Sequence, residues 1–157
     1  MGVARALSAI GAAVIVQLAA APAPALASPG AAACDLKVRS AWIREATPGA
    51  SALAAYGTFE NTGAKPLRIT KIETAAAAMA MIHETLVEKG VAEMRMVSDL
   101  DIAAGGKLKL APGGKHLMLS GLKSLPKVGD QIIIEFTDAA GCVTSAPFKV
   151  RPLLSPP

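Results

Sequence analysis

The chain has 157 residues, with 16 basic against 12 acidic side chains for a formal charge of +4, and only 3% of it is aromatic. So small a charge surplus, without basic runs interleaved with aromatics, gives single-stranded nucleic acid no stacking platform and excludes that class of partner. The length allows one domain with a proper core and is too short for two once a leader is set aside.

Residues 1–27 have the layout of a secretory signal. Arg5 supplies the positive start, an apolar run extends from Ala6 to Ala21, and Ala25-Leu26-Ala27 forms a small-x-small cleavage site. The run is too short and small-sided for a membrane span, so no span is expected after cleavage and the mature chain is expected in the periplasm. Ala31-Ala32-Ala33-Cys34 loosely resembles a lipoprotein cleavage box, but the large aliphatic residue expected three positions before the cysteine is missing. Residues 28–35 form a Pro/Gly/Ala-rich leader without periodicity, residues 36–151 a folded domain and residues 152–157 a proline-bounded tail.

Within the domain, Leu36 to Ile43 alternates apolar and basic residues as a half-buried strand does, and Trp42, the single tryptophan, is expected to pack in the core. Pro48-Gly49 marks a turn. Ala54 to Glu60 and Pro66 to Glu73 read as the next strands. The alanine-rich stretch Thr74 to Ala80 has helix propensity but is short and uncapped, so an irregular connection or one helical turn is expected there. Met81 to Leu86 and Val91 to Val97 flank Val87-Glu88-Lys89-Gly90 and suggest a hairpin. Gly106 to Leu110, Lys115 to Leu119, Gln131 to Thr137 and Cys142 to Val150 complete the set, with Ser120-Gly121 read as a stop. About nine short strands, each bounded by Gly or Pro, predict an all-β antiparallel sandwich of Greek-key type. Cys34 and Cys142, with 107 residues between them, are expected to form a structural disulfide in an exported protein, the alternative being two buried thiols.

The chemistry concentrates between Met79 and Leu122. Both histidines of the chain, His83 and His116, lie there with five of its six methionines. Ten residues separate His83 from Met94, twenty-one separate Met94 from His116, and one separates His116 from Met118. Imidazole with thioether is the donor set preferred by a soft ion such as Cu(I), and thioethers suit an oxidising compartment because they cannot be lost to disulfides. Since side chains two apart on a strand share a face, His116 and Met118 project together. A two-residue turn at Glu88-Lys89 sets His83 opposite Met94, and one at Lys89-Gly90 sets it opposite Met96. Both registers bring a thioether to the imidazole. Any one of these methionines alone reads as core filler; the clustering of all the histidines with them is what points to a metal.

Other chemistries fit poorly. His83-Glu84 begins a zincin-like motif, but Val87 stands where the second histidine belongs. There is no Gly-x-Ser-x-Gly elbow, and an enzyme is not expected. Blue copper requires a cysteine ligand, for which only Cys142 is a candidate.

The His83–Met94–His116–Met118 spacing, with His83-Glu84-Thr85 and Pro112-Gly113-Gly114-Lys115-His116-Leu117-Met118-Leu119 around it, resembles the periplasmic copper chaperones called PCu(A)C, also known as DUF461. The resemblance covers about Val38 to Val150. It implies a cupredoxin-like β-sandwich binding one Cu(I) per chain through His83, Met94, His116 and Met118, and it selects Met94 over Met96. It further implies transient delivery of copper to the Cu(A) centre in subunit II of cytochrome c oxidase, often alongside a Sco-type copper protein. A storage or copper-tolerance protein would use the same site without delivery. Some members add a His/Met-rich extension that takes Cu(II); the tail Arg151 to Pro157 has no such residues.

Overall fold

Period-two alternation builds the strands. Ile132, Ile134 and Phe136 point inward while Gln131, Ile133 and Glu135 point to solvent, and Ala146, Phe148 and Val150 repeat the rule further on. The computed structural model describes residues 34–98 and 100–153, which contain ten strands and no helix. They are β1 (Leu36–Arg44), β2 (Ala52–Asn61), β3 (Leu67–Thr74), β4 (Ala77–Glu88), β5 (Val91–Val97), β6 (Leu100–Ile102), β7 (Lys107–Leu110), β8 (Lys115–Leu122), β9 (Gln131–Asp138) and β10 (Val143–Arg151). The signal sequence and most of the leader lie outside the described residues, as does the end of the tail.

The hydrogen-bonded order is β5-β4-β8-β2-β1-β10-β9-β3-β6, with β7 pairing β2. All pairs are antiparallel except β1 with β10. The long β2 serves two partners on one edge: its Ala52–Ala55 half pairs β8 and its Gly57–Glu60 half pairs β7. The sheet wraps around a single apolar core in which Phe59, Phe136 and Phe148 are almost fully buried, Phe59 meeting Phe136 edge-on at 5.0 Å between centroids. The architecture is the all-β sandwich expected from the strand spacing.

Three local expectations change. The strand β6 is only Leu-Asp-Ile, too short to leave a period of its own. It is held by Asn61, whose buried amide nitrogen lies 3.0 Å from the Ile102 carbonyl oxygen. The alanine run is extended from Ala77 onward, because β8 offers it a full ladder from Leu122 to Lys115 and tertiary pairing overrides helix propensity. Ser120-Gly121 does not stop β8. Gly121 has φ +67°, and a Cβ there would sit 2.8 Å from the Cβ of Ala78, so glycine permits a close approach of β4 and β8.

Cys34 and Cys142 are disulfide-bonded with Cα atoms 5.8 Å apart, tying the chain before β1 to the start of β10. Closing a loop of separation 108 contributes about 4–5 kcal/mol in the chain-entropy model. It also leaves the Cys34 sulfur no free valence for a lipid thioether. Trp42 is buried, but not in the main core. A bulge at Ser40, where φ is +49°, resets β1 so that Ile43 faces the core and Trp42 the opposite side, where it stacks on Tyr56 at 4.6 Å.

Candidate metal centre

On β8 the core-facing residues Leu117 and Leu119 are fully buried, so His116 and Met118 project from the other face of the sheet. The ladder with β4 sets His83 opposite His116 and Met81 opposite Met118. The two imidazole centroids are 6.0 Å apart with planes nearly perpendicular at 78°. On the core-side face, Lys115 and Glu84 are also in register and join through a 2.6 Å ion pair that fixes the strands at this point.

The hairpin turns at Lys89-Gly90, with φ +52° and +81°, the left-handed pair that a two-residue type I′ turn requires. This decides the register left open by strand physics: Met96 lies opposite His83, and Met94 lies opposite Thr85, diagonal to His83. All four predicted donors therefore share one face of three adjacent strands. His116 and His83 form one cross-strand row that continues to Met96. Met118 stands one row to one side of it, and Met94 one row to the other, beside Thr85 and near Gly114. Neither of those two neighbours has a bulky side chain.

The imidazoles are unequally held. His116 is 6% exposed, and its Nδ1–H donates to the Gly114 carbonyl at 3.0 Å, which leaves Nε2 with the free lone pair. His83 has its Nδ1 buried with no hydrogen-bond partner. Burial, and then the proximity of His116, push the His83 pKa below the ordinary histidine value and favour the neutral ring. A buried imidazole nitrogen without a partner is costly, and a bound cation would satisfy it. Among the described residues no three His, Cys, Asp or Glu side chains cluster as a metal site. The side chains that share this face with the imidazoles include the thioethers of Met81, Met94, Met96 and Met118, and imidazole with thioether is a donor set that suits Cu(I) better than zinc or magnesium.

Around this row stand residues that spacing did not reveal. Tyr56 lies 6.5 Å from the His116 ring and stacks on Trp42, with Arg44 over Tyr56 and Arg151 over Trp42, each at 5.7 Å. Tyr56 and Trp42 are buried, and burial raises the Tyr56 pKa, so its phenol stays protonated. Only strand pairing, which is invisible in the linear sequence, places this aromatic buttress beside His116.

Residues 36–150 match the family model described as "Putative lipoprotein LpqE-like". A protein of Leifsonia xyli subsp. xyli, described as "Putative lipoprotein Lxx21020", is 35% identical over 125 residues, or 78% of this chain and 74% of the relative. Among solved structures, apo-DR1885 from Deinococcus radiodurans is 31% identical with a TM-score of 0.60, over 92% of this chain and 98% of that one. The CuI form of DR1885 is 32% identical with a TM-score of 0.59, over 73% and 78% of the two chains. The copper-bound PCuAC domain from PmoF2 has a TM-score of 0.64 over 75% of this chain and 93% of its own, and at 16% identity it speaks to the fold alone.

Proposed function

The chain belongs to the LpqE-like family of PCu(A)C-type, cupredoxin-like proteins, and from that premise we propose that it is a periplasmic metallochaperone carrying one Cu(I) as cargo. The observation that carries this reading is the register of β4 and β8, which sets His83 against His116 with Met118 one row away on the same face. That a 32% identical relative is described in a CuI form supports it.

His116 and Met118 come from the centre of the sheet and are the fixed half of the site. Gly114 orients the His116 ring so that Nε2 is the donor, and Tyr56 packs behind it. His83 contributes an imidazole held neutral by its surroundings. For the fourth donor, Met96 is in line with both rings, so its sulfur must pass over the His83 ring to reach an ion between the histidines. Met94, displaced by one row, stands opposite Thr85, so its path to the ion passes the small Thr85 and Gly114 and not an imidazole ring. On this ground, and by the family spacing, we assign Met94 as ligand.

The protein performs no bond chemistry in this scheme, and hand-over is a sequence of ligand exchanges. Met94 is 64% exposed on an edge strand, so an acceptor displaces it first, and the ion is passed while the two imidazoles, of which His116 is buried and His83 half-buried, still hold it. The acceptor proposed is the Cu(A) site of cytochrome c oxidase subunit II, reached directly or through a Sco-type protein.

Competition with a Cu(I) chelator, run in parallel for Cu(I) and Cu(II), tests the site. His83→Ala and Met118→Ala are expected to weaken Cu(I) binding sharply without unfolding the chain, and unchanged affinity in both would remove the assignment. Mixing the Cu(I)-loaded protein with an apo Cu(A)-domain fragment separates delivery from storage: the metal moves to the fragment in the first case and stays in the second.

A further inference from the structure

Three methionines on the site face take no part in the four-donor set, and two of them, Met79 and Met81, lie on β4 in a line leading away from His83. Met81 is directly opposite Met118 in the ladder, and Met79 is two residues further on, opposite Ser120. All project from the site face, because residues two apart on a strand share a side. Directly opposed Cβ atoms are about 5 Å apart and diagonal neighbours about 7–8 Å. The thioether arm, with three rotatable bonds, spans such gaps. Exposure rises along the line: His116 is 6% exposed, Met81 and Met118 are half-buried and Met79 is 54% exposed. On the far side of Met118 the neighbour is Ala54, and a cavity of about 260 Å³ lined by Ala52, Ala54 and Met118 leaves that flank uncovered.

Resting on the reading of His83, Met94, His116 and Met118 as a Cu(I) site, we propose that Met79, Met81 and Met118 form a second, weaker subsite for a soft monovalent ion. Met118 is common to the two sites. Three neutral thioethers are a donor set for Cu(I) or Ag(I) and a poor one for harder cations. Because Met118 belongs to both, the ion moves from Met79 and Met81 to the imidazoles by exchanging donors one at a time, without passing through water as a free ion. No oxidation state changes and no proton is transferred, since thioether sulfur carries none.

The test titrates the whole protein with Ag(I), a redox-inert stand-in for Cu(I), while following the histidine ring and methionine methyl resonances. The first equivalent is expected to move His83 and His116, and the second to move the Met79 and Met81 methyls. If the first leaves the histidines unmoved, it is the primary site that fails. The second site is judged separately in the His83→Ala/His116→Ala protein, where Ag(I) is still expected to shift Met79, Met81 and Met118. No binding there, or shifts at Met96 instead, overturns the proposal. In the complementary Met79→Leu/Met81→Leu protein, which keeps volume and apolarity, loss of the second equivalent with the first unchanged supports it. Retention of the second equivalent overturns it. Met79→Leu alone, at an exposed position, gives the same reading where the double variant folds poorly.

Discussion

Strands β8 and β5 both carry proposed donors on the same face, yet they are opposites as structural elements. The first lies between β4 and β2, and its reverse side, Leu117 and Leu119, is fully buried. The second is an edge strand in which every residue from Val91 to Met96 is exposed, Met94 and Met96 by 64% and 67%. A donor on β8 is held by the core through its own neighbours. A donor on β5 is held by little beyond the ladder to β4. A carrier needs both properties in one site, firm enough to retain an ion and loose enough to release it. In the proposed site the two properties fall on different strands, so no moving domain is required.

The largest effect is expected behind β8. Leu117→Ala opens a cavity in the core and should cost about 2–5 kcal/mol in chemical denaturation. A smaller loss would mean that the core does not fix this strand. His116→Ala should lower Cu(I) affinity by at least about 100-fold, the upper end of what the loss of a mere supporting partner costs, with a stability loss of only about 1 kcal/mol from the Gly114 hydrogen bond. Met94→Leu on β5 should weaken binding by less than His116→Ala does, as suits a single exposed donor, and leave the midpoint of unfolding in place. Met96→Leu should change neither. If Met96→Leu proves the more damaging of the two, the thioether in line with the imidazoles is the ligand and Met94 is not.

A pH titration sharpens the contrast further. The folded pKa of His83 lies below the ordinary value of about 6.5, so the unfolded chain binds the proton more tightly. Stability from this residue is complete above that value and is lost as pH falls below it toward the lower folded pKa. NMR of the metal-free protein should show the His83 ring titrating below pH 6.5, and His83→Gln should flatten the stability profile in that window. A ring titrating at or above 6.5 contradicts its burial. A small effect is also expected on β5: Arg95→Gln removes exposed ion pairs to Glu93 and Glu88 and should shift stability by less than about 0.5 kcal/mol.

Much of the fold was legible in the linear chain, because alternation with Gly and Pro breaks reports each strand locally, as in Gln131 to Asp138. The failures share a cause. Three-residue β6, the extended alanines of β4 and the continuation of β8 through Gly121 all depend on partners distant in sequence, and no local pattern encodes a partner. The tryptophan misled for a related reason: its burial was foreseeable, but the bulge that turns it from the core toward Tyr56 was not.

By itself the sequence determined the types and spacing of the proposed donors, and with them the soft-ion preference of the proposed site, since ligand chemistry belongs to individual side chains. It also carried the Lys89-Gly90 turn, whose glycine suits the left-handed conformation. The tertiary structure alone decided that β8 inserts beside β4 so that two imidazoles meet in one row, which methionines lie in line with it and which lie beside it, and what packs behind His116. Those are properties of strand register and sheet order, which are fixed only when the whole core is buried at once.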